Sequence, residues 1–127
     1  MKCLRIYADE AGVSHFADVD IPLIPMELFP GVPPLHLSET YPASSVRFGW
    51  VPAGLHAADW HNAPAPQLVV WLTGWVEFET RDGEVRRCDA GTVVLAEDIF
   101  GKGHLSRHPD EGQFFMMVPL PDGITAR

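Results

Sequence analysis

The chain has 127 residues and a mass of 14.0 kDa, one domain's worth, able to bury about two-thirds of its surface without staples. Hydrophobic residues at 46% and charged residues at 20% are globular proportions and exclude a disordered chain. Nine Lys+Arg against 17 Asp+Glu give a net charge of −8, which repels polyphosphate and excludes nucleic acid and anionic membranes as main partners.

The start, MKCLRIYADE, reaches Asp9 and Glu10 before an apolar run of signal-peptide length builds up. No stretch approaches the roughly 20 apolar residues of a membrane span. The expectation is a soluble cytoplasmic protein in which Cys3 and Cys88 remain thiols.

Twelve Pro and eleven Gly interrupt the chain every few positions, and no window carries an amphipathic helix with clean caps. Short apolar runs between turn signals predict an all-β domain. Arg5–Tyr7 and Phe16–Ile24 read as N-terminal strands, the second stopping at Pro25. Residues 28–42 hold Pro30, Pro33, Pro34 and Pro42 and should be an extended, irregular wrap. Residues 1–44 are therefore strands and wrap, and residues 45–118 the core of a single domain.

Strand signals sharpen from there. Ser45–Val51 ends at Pro52-Ala53-Gly54, and Gln67–Leu72 ends at Thr73-Gly74. Trp75–Arg81 runs into Asp82-Gly83, the strongest hairpin signal present, with Glu84–Cys88 as the return strand. Thr92–Ala96 follows the Asp89-Ala90-Gly91 turn, and Phe114–Val118 is the last strand before Pro119 and Pro121.

Two motifs stand out. The first is His61-Asn62-Ala63-Pro64-Ala65-Pro66-Gln67, then six residues, then Gly74; the second is Gly101-Lys102-Gly103-His104. Their intervals resemble the paired motifs of the cupin family. There, His, a second His, a Glu and a Gly would fall at His61, Ala63, Gln67 and Gly74, and the second motif's His at His104. Two of the three ligand types in the first motif differ. The family's Pro two residues before the Gly of the second motif is Ile99, and its closing Asn is His108. The resemblance spans residues 54–108 and is closest to small single-domain cupins.

The resemblance implies an antiparallel double-stranded β-helix, the cupin jelly-roll barrel, holding a divalent metal on three His and one Glu. Such a site needs donors converging at about 2.0–2.2 Å on one ion. Here His61, His104 and the neutral Gln67 remain for a divalent ion such as Zn, Ni, Fe or Mn, and the charge of a carboxylate is lost. The alternative is a polar cluster of the same three residues inside a barrel that binds an organic ligand.

Period-two alternation turns Gln67, Val69 and Trp71 to one face and Leu68, Val70 and Leu72 to the other. Both faces are apolar, so one needs cover from a second sheet or a partner subunit. Phe115 and Met117 alternate with Phe114 and Met116 in the same way, and Trp50 and Trp60 flank the turn leading to His61. The predicted pocket wall is Trp50, Val69, Trp71, Phe115 and Met117 with Gln67.

His108 is expected in a surface turn beside Pro109, about 13 Å along a strand from His104. His56 and Asp59 are expected in a loop, His15 and His36 at the surface, and Glu97 and Asp98 in a solvated loop.

Three functions stay open. One is a metal-dependent isomerase, lyase or dioxygenase. The second is a small-molecule-binding module, and the third an interaction subunit. The apolar double faces, with Arg5–Tyr7 and Phe16–Ile24 free to add to a partner's sheet, predict a homodimer.

Overall fold

The computed structural model describes residues 1–124. The described residues form an all-β domain without helix. Its strands are β1 (Lys2–Ala8), β2 (Ser14–Asp20), β3 (Ile24–Met26), β4 (Leu35–Leu37), β5 (Arg47–Val51) and β6 (Ala57–His61). They continue with β7 (Gln67–Trp71), β8 (Trp75–Glu79), β9 (Val85–Asp89), β10 (Val93–Ala96), β11 (His104–Arg107) and β12 (Gln113–Pro119). Among the described residues no helix is long and apolar enough to cross a membrane.

Two sheets carry the core. The larger has the order β2-β1-β10-β7-β12-β5 and the smaller β6-β11-β8-β9. No sheet closes on itself. All pairs are antiparallel except β1 with β10, which run parallel with Leu4 opposite Val94 and Ile6 opposite Ala96.

Alternation explains the packing. In β7 the pattern buries Gln67, Val69 and Trp71; in β8 it buries Val76 and Phe78 and turns the neighbouring glutamates outward. Residues of both sheets, including Ile6, Val69, Trp71, Val76, Phe78 and Val94, make one core between them. The smaller sheet's outer face is charged, with Arg107 bridging Glu77 at 3.1 Å and Glu79 at 2.7 Å.

The larger sheet's second face is apolar, and the chain covers part of it. Ile21, Leu120 and Ile124 pack there with Cys3, Val19 and Leu95, against Tyr41, Leu68, Val93 and Val118. Cover fails toward the β5 edge, where Phe48 is 69% exposed and Phe114 53%.

Three expectations change. Phe16–Ile24 is not one strand: it breaks after Asp20, and Ile24–Met26 pairs instead with Leu35–Leu37 in a separate hairpin. The Pro-rich wrap thus contains a short strand, β4. Arg5–Tyr7 lies inside the sheet, in β1 between β2 and β10, so of the two N-terminal strands only β2 keeps a free edge. Finally, Leu55–Trp60 is mostly strand. Ala57-Ala58-Asp59 has little intrinsic β preference, but Ala57 and Ala58 pair with Arg107 and Ser106.

Candidate functional site

Strands β6 and β11 bring the two motifs together. His61 and His104 are opposite one another in the register, and a shift in pairing follows between His104 and Ser106. Their rings lie 4.5 Å apart, centre to centre. Gln67 comes from the other sheet, at the start of β7. Strand parity between positions 61 and 67 therefore does not apply; the three meet across the space between the sheets. Gly103 makes the approach possible. Its φ is +73°, and a Cβ there would overlap the His61 carbonyl.

The space is a cavity of about 320 Å³ lined by His61, Gln67 and His104 together with Val69, Trp71 and Phe115. That volume is at the small end of ligand pockets. No Asp, Glu, Lys or Arg lines it. Gln67 is buried, and its side-chain amide makes no hydrogen bond among the described residues. Trp50 reaches the cavity edge but is half exposed and packs on Phe114, with ring centres 4.5 Å apart. Met117 packs against the core and is not part of the lining.

Each histidine is oriented from behind. His104 Nδ1 lies 2.6 Å from Asp98 Oδ2, with Asp98 wholly buried. His61 Nδ1 donates to the Asp59 carbonyl at 2.6 Å, while His61 itself is exposed at the cavity mouth. The Asp98 carbonyl in turn accepts from the Ala63 amide and from Asn62 Nδ2, both at 3.2 Å. Asp98 is therefore a buried positioning residue and not part of a solvated loop. Glu97 is largely buried too, and holds Arg5 at 2.6 Å.

His108 is also buried, against the expectation of a surface turn. Ser106 Oγ lies 2.8 Å from its Nε2, and its Nδ1 is 2.7 Å from Gln113 Oε1. Gln113 is fully buried, with its Nε2 donating to the Thr73 and Trp75 carbonyls at 3.0 Å each. Burial lowers the His108 pKa below the usual imidazole value; the Gln113 hydrogen bond opposes this and the charge of His61 adds to it. Alternation along the strand carried the signal, against the turn signal of Pro109. His104, Ser106 and His108 are two residues apart and share one face. Ser106 and His108 both line the cavity.

The remaining histidines stand apart. His56 is exposed and pairs with Asp110 at 2.6 Å. His15 bridges Asp9 at 2.7 Å and Asp82 at 2.9 Å, and His36 is exposed. Among the described residues no three His, Cys, Asp or Glu side chains come together to hold a metal ion. The donors at the cavity do not fit a resident divalent metal. Three imidazoles line it, but both ring nitrogens of His108 are engaged by Ser106 and Gln113; Ala63 and a neutral amide occupy the other motif positions, and Asp98 Oδ2 is engaged by His104.

No protein-family model matches the chain, and no curated protein is similar to it.

Proposed function

We propose that the protein is a small cupin-like binding module that takes an organic molecule into the cavity between its sheets. The motif intervals at 61–74 and 101–104 and the two facing sheets support a flattened jelly roll. The observation that carries the function is the Trp71 indole Nε1, a buried donor left without a partner among the described residues, beside Gln67 and the oriented imidazoles of a largely apolar cavity. Buried polar groups are ordinarily satisfied, and a ligand satisfies this one. A non-catalytic role fits better than a metal enzyme because the cavity presents no carboxylate.

A thermal-stability screen with neutral one- and two-ring compounds tests the reading. At ten times Kd a ligand adds about 1.4 kcal/mol, or roughly 4 °C at this chain length. Ala58→Phe, which fills the cavity from β6, should abolish the shift. A screen in which no compound stabilises the wild type contradicts the reading.

The module acts as a homodimer. The β3–β4 hairpin pairs with no other strand, and it exposes Ile24 (58%), Met26 and Leu28, with Phe29 (57%) and Val32 beyond. A second apolar surface lies on the outer face near β5, at Phe48, Trp50, Leu72 and Phe114. Half-exposed side chains of this size present on the order of 100 Å² each. Together they exceed the roughly 800 Å² per partner of a specific interface, and a two-fold pairing lets the hairpin of one copy cover the other's bare face.

A further inference from the structure

The cavity's polar wall accepts hydrogen bonds and offers few, and this narrows what it binds. His61 Nδ1 faces a backbone carbonyl, which can only accept, so the proton sits on Nδ1 and the neutral ring turns a lone pair outward at Nε2. His104 Nδ1 faces the Asp98 carboxylate, which fixes the same tautomer on the neutral ring. No partner for either Nε2 exists among the described residues.

Ser106 extends the pattern. Gln113 spends both amide protons on the Thr73 and Trp75 carbonyls, so its Oε1 is the atom that faces His108 and accepts from Nδ1. His108 Nε2 is then an acceptor, and it takes the Ser106 hydroxyl proton. Ser106 is left with oxygen lone pairs only. His61, His104 and Ser106 thus line one side of the cavity as acceptors, facing Val69, Trp71 and Phe115. The free donor hydrogens lie on the opposite side, on the Gln67 amide and on the Trp71 indole Nε1, which is buried without a partner among the described residues.

We infer that the ligand is a neutral, hydroxyl-bearing ring compound whose O–H donates to a histidine Nε2 of this wall. The inference rests on the binding reading above and names its ligand class. Neutrality follows from the lining, which holds no Lys or Arg to pair with an anion and no carboxylate to pair with a cation. Size follows from the volume. A cavity of about 150 Å³ accepts benzene, so about 320 Å³ accepts a substituted ring or two small fused rings. The ring lies against Trp71 and Phe115, whose centres are 5.4 Å apart. An ether or hydrocarbon of the same shape leaves the Nε2 of the buried His104 unpaired, which costs about tenfold or more in affinity.

The test is calorimetric titration of the full chain with p-cresol, 4-methylanisole and 4-methylbenzoate at pH 8. These share a ring and differ in having a donor, an acceptor only, or a charge. The expected result is p-cresol at least about tenfold tighter than 4-methylanisole, with 4-methylbenzoate weakest. His104→Phe should bring p-cresol down to the anisole level while leaving anisole unchanged. His61→Phe, at the exposed mouth, provides the same comparison if the buried variant does not fold. Equal binding of p-cresol and 4-methylanisole, or tightest binding of the benzoate, overturns the donor inference and leaves the cavity reading standing. Absence of binding by all three overturns the hydroxylated-ring assignment, and the wider screen then decides the cavity reading separately.

Discussion

Asp98 Oδ2 sits 2.6 Å from His104 Nδ1, and the carboxylate that holds this imidazole is completely out of solvent. Its second oxygen, Oδ1, has no hydrogen-bond partner among the described residues. A buried carboxylate with an idle oxygen is costly, and a residue chosen for stability alone would not leave one. Asp98 spends that cost on aiming His104 into the cavity.

Asp98→Ala should therefore destabilise the fold by about 3 kcal/mol, because it strands the Nδ1–H of a buried ring and opens space beside it. Asp98→Asn keeps the volume and should cost less. Urea unfolding measures both; a loss below about 1 kcal/mol for the alanine variant contradicts the assigned role.

The His108 imidazole is held neutral by burial, so the unfolded chain binds a proton more readily than the native one. Stability then rises with pH across this group's range. As pH falls from about 6.5 towards the lowered native pKa, His108 should withdraw up to about 1.4 kcal/mol per pH unit. His108→Gln should flatten that limb. The His15 cluster works in the opposite sense: its pKa is raised, first by the Asp9 hydrogen bond. Its contribution is complete below about pH 6.5 and fades as pH rises through the raised value. His15→Asn should remove stability on the acid side of that value and little on the alkaline side. Denaturation midpoints from pH 5 to 9 separate the two.

Cys88 is buried in the core, which pushes its thiol up to about 11. Thiolate is the reactive form, so the native protein at pH 8 should leave Cys88 unmodified by Ellman's reagent. Denaturant should release it. Rapid labelling of Cys88 in the native state contradicts the packing between the sheets.

Light scattering at tens of micromolar should give the mass of two chains. Replacing Ile24 and Phe29 with Ser should give one chain and leave the far-UV spectrum unchanged. A wild-type monomer at that concentration contradicts the dimer.

Much of the architecture was legible because turn chemistry is local. Asp82-Gly83 marks the β8–β9 hairpin, Thr73-Gly74 ends β7, and the alternation from Gln67 to Trp71 gives the correct buried face. The strand β6 was not legible, because Ala57-Ala58-Asp59 is extended by pairing with β11 rather than by its own preference. His108 was misplaced because Pro109 is a local turn signal. What buries His108 is Gln113, five residues away on β12. Asp98 looks like loop polarity in sequence; only the approach of His104 in space gives it a partner. Local signals place turns and faces, and a buried polar partner across two sheets leaves no local signal.

The central claim is that a molecule binds between the sheets, against Gln67 and Trp71. The most direct measurement is a nitrogen–proton correlation spectrum of the labelled protein titrated with p-cresol. Saturable shifts of the Gln67 side-chain amide and the Trp71 indole are expected, with the hairpin residues 24–37 unmoved. Shifts confined to that hairpin, or a Gln67 amide that does not move at saturation, would contradict it.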